Sequence, residues 1–376
     1  MAEQQEKVDT LQISLLTCSP GEAAYELYGH TALRVQDWKN GTDLVFNYGI
    51  FDFDTPNFAW RFMLGETDYT IGVSQFSAFS RSYARHGRSV VQQELNLSPE
   101  ENARLLSGLF ADWATPHWTY RYNFIYDNCT TRAIQQIKNA VGGELVWPEE
   151  ENGKRSFRDI LHEFTAEASP WSDFGNDLVL GSEVDSPIDV DKQMFSPIYA
   201  ERFLDAASIV DVEGVKRPLV KHKTMAVQAM PSENKLFPIS PTMAVWGILI
   251  IVLALSAWEY SRRRLFRLTD YILMAVQGLA GCIVAFLFFL SVHPAVGTNW
   301  LIILLNPLPL LYLPVKIWSD KKNVRDYYYR AMAVVLVVFA LSALCHVQDF
   351  PMEIYVVALI LLVRTVVSLM LENKRK

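Results

Sequence analysis

The stretch YNFIYDNCTTRAIQQIK, residues 122–138, joins an apolar, aromatic run to a helical pattern. Asn128 is the predicted N-cap, because its side chain can accept hydrogen bonds from the free N–H groups of the first turn. The glycine pair at 142–143 ends the pattern, since glycine favours the left-handed conformation that follows a helix. The apolar positions at helical spacing are Ala133, Ile134, Ile137 and Val141. The sequence therefore predicts a helix with Cys129 in its first turn.

Cys129 occupies a place where a helix favours negative charge. Free backbone N–H groups and the positive end of the helix dipole both stabilise a thiolate there. The alternative is a small apolar residue packed in the core, which is a common use of cysteine. A nucleophilic cysteine also needs a base elsewhere in the chain.

The composition of the 376-residue chain changes near Pro241, which indicates two domains. The part before Pro241 has 21 basic and 34 acidic residues, a net charge of −13, whereas apolar runs dominate the part after it. Because nucleic-acid binding calls for a clustered basic face, we predict no nucleic-acid partner.

The four cysteines do not form a metal-binding pattern. Cys282 and Cys345 lie in apolar runs, where burial in a helix bundle or in lipid is expected. Cys18 and Cys129 lie in the front domain, and the sequence leaves a disulfide between them open. No CxxC pair or His/Cys cluster occurs, so no metal site is predicted.

Five apolar segments follow Pro241, most of them near the length of about 20 residues that a membrane-spanning helix needs. The third contains Asn306-Pro307 and Pro309 and is predicted to be kinked or broken. The segments cover 243–258, 271–292, 299–315, 331–346 and 353–371.

The charges flanking these segments predict an orientation. The loops on one side and the C-terminal tail carry 12 Lys and Arg, and the loops HPAVGTN and HVQDFPM on the other side carry none. Because positive charge accumulates in cytoplasmic loops, the C-terminus is predicted to be cytoplasmic and the front domain external. MAEQQEKVDTLQ lacks the apolar core of an export signal, so we expect that a signal sequence was removed, with export by the first span as the alternative.

Arg364 lies inside the fifth segment, where charge is costly. The favoured prediction is that its side chain extends toward the cytoplasmic end of the helix. A contact with a lipid headgroup or a substrate is the alternative.

The front domain is predicted to be α+β, with one mostly antiparallel sheet. Asn40-Gly41 predicts a hairpin, and a strict two-residue turn would pair residue i with residue 81 − i. Ser98, Pro99 and Glu101 predict a capped helix start. Further predictions are strands at 11–18, 30–38, 43–51, 68–76 and 88–97, a short helix after Pro20, helices at 157–168 and 196–210, and a linker at 221–242.

Histidine is the expected base for Cys129, and four histidines precede residue 200. His30 follows Gly29 at the start of a predicted strand, where its ring could point across a sheet edge. His117 is a rival, His86 lies in a loop, and His162 fits a helix surface.

His30 and Cys129 together resemble the site of circularly permuted papain-like thiol enzymes, which include the lecithin:retinol acyltransferase family. The matching motifs are HTALRV at 30–35 and NCT at 128–130. The wider segments at 15–35, 45–58, 94–106 and 120–132 resemble the front domain of the Lnb family of bacterial lipoprotein N-acyltransferases.

The resemblance implies a permuted papain-like external domain at 1–225, with its core at about 11–143, a linker at 226–242, and five membrane helices within 243–376. It also implies an inner-membrane enzyme that transfers an acyl chain from a phospholipid, through a thioester on Cys129, to the α-amine of a diacylglyceryl lipoprotein. Neither a metal nor another cofactor is implied.

A third side chain should orient the imidazole of His30. Asn47 is one candidate, since it follows an apolar pair as the family residue does. The strict turn, however, sets Asn47 across from Arg34 and sets Phe51, the neighbour of Asp52, across from His30. Asp52 is therefore an equal candidate, with a bulge at Gly49 turning it inward.

Two other functions remain open from sequence. A membrane-anchored thiol peptidase acting on the cell wall would use the same Cys/His pair, although five spans exceed what an anchor needs. A non-enzymatic envelope sensor or interaction protein would contain an inert Cys129.

Overall fold

A computed structural model of the protein describes residues 10–52, 54, 56–149, 155–230 and 237–373. The chain forms two compact units. The first comprises the described residues of Met1–Phe164 and Pro187–Lys235, and the second those of Thr165–Ser186 and Leu236–Lys376. Residues 165–186 therefore belong to the helical unit, although about 50 residues of sequence separate them from its first apolar helix.

The described strands of the first unit are β1 (Leu11–Cys18), β2 (His30–Asp37), β3 (Thr42–Ile50), β4 (Asp68–Gln75), β5 (Val90–Leu95), β6 (Tyr120–Arg121), β7 (Glu144–Val146), β8 (Ser208–Val210), β9 (Lys216–Pro218) and β10 (Val220–Val227). They form a seven-stranded sheet in the order β10-β5-β1-β2-β3-β4-β6, with every pairing antiparallel. A smaller sheet has the order β7-β8-β9. The α+β prediction is confirmed.

The helices up to residue 206 are α1 (Phe58–Leu64), α2 (Phe76–Arg85), α3 (Pro99–Ala114), α4 (Cys129–Ala140), α5 (Phe157–Thr165), α6 (Pro170–Val179), α7 (Val190–Gln193) and α8 (Pro197–Ala206). α3 begins with the predicted capping box, in which Ser98 and Glu101 exchange hydrogen bonds. Leu16, Ala32 and Val45 on one face of the sheet pack against Phe79 of α2. The sequence patterns did not predict α1 and α2, and the short helix expected after Pro20 is only a 3-10 turn at Ala24–Glu26.

The predicted register of the β2–β3 hairpin is wrong by two residues. Arg34 pairs with Val45 and Asp37 with Thr42, so the residue numbers of each pair sum to 79 and not to the predicted 81. Four residues therefore connect the strands. The Asp37 carboxylate accepts hydrogen bonds from the N–H groups of Lys39 and Asn40, which stabilises this wider turn.

Strand β10 includes the first seven residues, 221–227, of the segment that the sequence assigned to a linker. It pairs with β5 and forms one edge of the sheet. Most of its side chains are exposed, so it lacks the alternation of apolar and polar residues that identifies a half-buried strand.

The second unit contains α9 (Pro241–Arg262), α10 (Arg267–Leu290), α11 (Leu308–Lys322), α12 (Tyr328–Leu344) and α13 (Met352–Asn373). Within the described residues, four helical stretches are long and apolar enough to cross a membrane, and α12 is a shorter apolar helix of 17 residues. The third span is broken as predicted, since a 3-10 turn at Trp300–Ile303 precedes α11.

Residues 165–186 pack on the loops between these helices. The Gly181 N–H donates to the Ala295 carbonyl, and the Asn299 and Gln348 side chains donate to the carbonyls of Leu178 and Leu180. These hydrogen bonds satisfy backbone groups at the end of α6 and after it. They fix the segment 165–186 to the helical unit.

Arg364 does not extend to the end of its helix, so that prediction is wrong. Its side chain is 3% exposed and forms ion pairs with Glu259 and Asp270. Its guanidinium also donates to the Ser256 hydroxyl at 2.9 Å. Because neighbouring helices supply these partners, the buried charge is compensated without reaching water.

Candidate active site

His30 is the first residue of β2 and is held by its neighbours on both sides. Gly29 has a φ of +82°, and a Cβ there would lie 2.6 Å from the Cys18 carbonyl oxygen, so only glycine fits the turn. The His30 Nε2 lies 3.2 Å from the Asn47 Oδ1. That contact occupies one ring nitrogen, and the His30 ring also forms a hydrogen bond with the Cys129 thiol.

The observed register explains why Asn47 reaches His30. Continuing the β2–β3 pairing sets Asn47 across from Ala32, two residues from His30. Side chains alternate between the faces of a sheet, so His30 and Asn47 share a face and are diagonal neighbours.

Cys129 is the first residue of α4, and Asn128 fixes its position. The Asn128 side-chain oxygen accepts hydrogen bonds from the N–H groups of Thr130 and Thr131, which confirms the predicted N-cap. The Asn128 amide group donates to the carbonyls of Phe124 and Phe195. The helix start therefore has little freedom to move.

A pair of threonines joins the two halves of the site. The Thr31 hydroxyl, next to His30, lies 3.0 Å from the Thr130 hydroxyl, next to Cys129, and both are fully buried. This contact anchors the start of α4 to β2 beside the thiol and the imidazole.

The ionisation of Cys129 is shifted by its neighbours. Burial raises the pKa of the thiol, but the charge and hydrogen bond of His30 and the N–H of Thr31 together outweigh it and lower the pKa to about 7. Burial disfavours the charged form of His30, yet the Cys129 thiolate and the Asn47 hydrogen bond leave its pKa raised. The two groups therefore favour a thiolate–imidazolium pair.

Cys18 is not part of this chemistry. It pairs with His30 in the β1–β2 ladder, but it is fully buried and, like Cys129, has a free thiol. Burial raises the pKa of Cys18 to about 12, so it remains a neutral thiol.

The structure brings together three of the four predicted site residues, namely Cys129, His30 and Asn47. Asp52 is exposed, and its carboxylate accepts a hydrogen bond from the Asp54 N–H. The other histidines of the first unit lie elsewhere: His86, His117 and His222 are exposed, and His162 lies on α5.

Gly49 and two tyrosines complete the surroundings of the thiol and were not predicted as site residues. The bulge suggested at Gly49 is present, with a φ of +88° and a register shift between Tyr48 and Ile50. A Cβ on Gly49 would lie 3.5 Å from the Cys129 Cβ, 3.7 Å from the Tyr122 ring and 3.8 Å from the Tyr120 hydroxyl. The missing side chain thus leaves space beside the nucleophile.

A series of aromatic rings leads from this space to the surface. Tyr122 stacks on Tyr69 with centroids 4.2 Å apart, Tyr69 contacts Phe51 at 5.1 Å, and Phe51 stacks on Phe58 of α1 at 5.5 Å. α1 has no buried residue, and Trp60 is 52% exposed. Packed aromatic rings therefore connect the surroundings of the thiol with the surface of the unit.

Two family models match the chain. The Lnb N-terminal periplasmic domain matches residues 1–153, and the five-helix Lnb transmembrane domain matches residues 232–376. No curated protein and no solved structure matched the chain.

Proposed function

Because the chain belongs to the Lnb family of lipoprotein maturation proteins, we propose that it is a phospholipid-dependent lipoprotein N-acyltransferase. The observation that carries the proposal is the Cys129–His30–Asn47 arrangement, with the thiol at a helix N-terminus and its pKa lowered. The enzyme would move an acyl chain from a phospholipid to the α-amine of a diacylglyceryl lipoprotein.

In the first half of the proposed reaction, the Cys129 thiolate attacks the carbonyl carbon of a phospholipid ester. A tetrahedral intermediate forms, and its C–O bond breaks as the His30 imidazolium gives a proton to the leaving oxygen. The products are a lysophospholipid and a thioester on Cys129. Asn47 accepts a hydrogen bond from the His30 ring and keeps the other ring nitrogen facing the sulfur.

In the second half, the α-amine of the acceptor attacks the thioester carbonyl. His30 takes the proton that the amine loses, the C–S bond breaks, and the Cys129 thiolate returns with an amide as product. The Cys129 amide is a suitable oxyanion donor in both halves, because the first N–H groups of a helix have no intrahelical acceptor. The reactants balance without ATP.

The aromatic surroundings of the thiol support a lipid substrate rather than a cell-wall peptide. Packed rings extend from Tyr122, near Cys129, to Phe58, and exposed apolar residues of α1 continue this surface. Long hydrocarbon chains are stabilised by such surface, whereas a polar wall peptide would gain little from it.

The charge pattern supports an external site. All 12 Lys and Arg of the loops and tail lie on the side that also contains the C-terminus, which favours a cytoplasmic C-terminus. The family's periplasmic domain would then carry out its reaction at the outer face of the inner membrane, where phospholipid and lipoprotein are both present.

The test is the intact mass of purified full-length protein after incubation with phospholipid vesicles. We expect wild type to gain a fatty-acyl mass that hydroxylamine removes, Cys129→Ala to gain none, and Cys18→Ala to behave as wild type. A diacylglyceryl-cysteine peptide should then remove the adduct and gain a hydroxylamine-stable acyl group, and an N-acetylated peptide should not.

The absence of an adduct on wild type, or an equal adduct on Cys129→Ala, would refute the proposal. Cleavage of a wall peptide by wild type alone would instead identify a thiol peptidase. Neither activity, with function in cells retained by Cys129→Ser, would identify an interaction protein.

A further inference from the structure

The Tyr120 hydroxyl is a buried polar group close to the candidate active site. Tyr120 is 6% exposed, and its hydroxyl has no hydrogen-bond partner among the residues that the structure describes. Other buried tyrosines in the same unit are paired: Tyr48 with Asp112, Tyr199 with Glu163 and Tyr69 with Thr67. A buried hydroxyl without a partner is destabilising, so its retention calls for an explanation.

The position of this hydroxyl supplies the explanation. It lies 3.8 Å from the point that a Cβ on Gly49 would occupy, and the Cys129 Cβ lies 3.5 Å from the same point. The hydroxyl and the nucleophile therefore border one small space, which the bulge at Gly49 keeps free of a side chain.

The Tyr120 ring is fixed in place. Its backbone belongs to β6 and pairs with Tyr69 of β4. The Arg132 guanidinium of α4 stacks over the ring, 4.5 Å from its centroid, and Arg132 is itself paired with Asp127. Because α4 also carries Cys129, the same helix positions both the nucleophile and the tyrosine.

The hydroxyl is a donor under working conditions. Burial and the nearby Cys129 thiolate raise the pKa of Tyr120, so the phenol keeps its proton at neutral pH. A neutral phenol beside a forming negative charge can donate a hydrogen bond that becomes stronger as the charge develops.

We propose that Tyr120 is a catalytic residue whose hydroxyl donates a hydrogen bond to the carbonyl oxygen of the tetrahedral intermediate on Cys129, together with the Cys129 backbone N–H. The inference rests on the proposed acyl transfer for its substrate. No proton is transferred in this role: the oxygen gains negative charge when the C–S bond forms and loses it when the leaving group departs.

The test compares Tyr120→Phe with wild type in single-turnover acylation of Cys129, with phospholipid vesicles and with the soluble probe p-nitrophenyl butyrate. Loss of one oxyanion donor should lower the acylation rate constant about 100- to 1,000-fold. The concentration of probe at half-maximal rate and the pH midpoint for alkylation of Cys129 should stay the same.

Tyr199→Phe is the matched control, since it removes a buried tyrosine hydroxyl that has a partner. It should leave acylation unchanged and lower the melting temperature. Tyr120→Phe should keep or raise the melting temperature, because it removes an unpaired hydroxyl, whereas a structural role for Tyr120 predicts a decrease.

An acylation rate within about threefold of wild type would overturn the role of Tyr120. If wild type reacts with the soluble ester and not with phospholipid, the lipid substrate is wrong, and the ester data still decide the role of Tyr120. If wild type reacts with neither, both proposals fail.

Discussion

Replacing His30 with Asn should shift the ionisation of Cys129 toward higher pH. In wild type the pKa of Cys129 is about 7, against an ordinary value of 9.0, and His30 supplies the largest contribution that lowers it. Removing the imidazolium leaves burial as the dominant influence, so the pKa should rise to 9 or above. Two pKa units correspond to about 2.7 kcal/mol of differential stabilisation of the thiolate.

This shift has a calculable effect on thiol reactivity. At pH 7 the thiolate fraction should fall from about one half to about 1%, roughly 50-fold. A more basic thiolate is a better nucleophile, by about eightfold for two pKa units at a Brønsted coefficient of about 0.4–0.5. The rate at pH 7 should therefore fall only about sixfold, whereas the rate at high pH should exceed that of wild type. The midpoint of the pH profile is the decisive quantity.

The assay is alkylation of Cys129 by iodoacetamide from pH 5 to 10, followed by mass spectrometry of the peptide that contains it. His86→Asn, which changes an exposed histidine of the same unit, is the control and should keep the midpoint near 7. Cys18 should stay unlabelled throughout, since it is fully buried and its pKa is raised to about 12. An unchanged midpoint in His30→Asn would show that His30 does not stabilise the thiolate.

Two further predictions concern orientation and stability. In single-turnover assays, Asn47→Ala should lower the rate of Cys129 acylation about 10-fold or more, because the imidazole loses its buried acceptor at 3.2 Å. Asp52→Ala should leave this rate unchanged, because the Asp52 carboxylate is exposed and accepts a hydrogen bond from the Asp54 N–H. The reverse result would exchange the roles of the two residues. Arg364→Met should destabilise the helical unit by about 3–5 kcal/mol, because it leaves two buried carboxylates unpaired. Adding Glu259→Gln should recover part of the loss, and thermal unfolding in detergent that shows no decrease for the single variant would contradict the ion-pair assignment.

Local signals in the sequence were sufficient for the elements that carry the nucleophile. Asn128 is an N-cap whatever surrounds it, because its side chain bonds to N–H groups two and three residues ahead. The broken third span follows from proline, which cannot continue the hydrogen-bond pattern of a helix. Such features depend on neighbours within a few residues.

Whether Asn47 or Asp52 contacts His30 depended on the width of one turn. Asn-Gly suggests a two-residue connection, but the Asp37 side chain stabilises a four-residue connection and moves the register by two positions. That difference brings Asn47 within reach of His30. A turn's residues favour several geometries, and the strands it connects decide among them.

The sequence by itself determined the thiol at a capped helix start, the histidine at a strand start, the antiparallel sheet and the apolar spans, because these follow from short-range pattern and composition. Only the tertiary structure decided which distant residues come together. Asn47 contacts His30, Thr31 contacts Thr130, and the Tyr120 hydroxyl lies near Gly49 and Cys129. The same holds for Arg364, whose partners lie about 100 residues earlier in the chain. Contacts between distant residues depend on register and packing, and no local pattern specifies either.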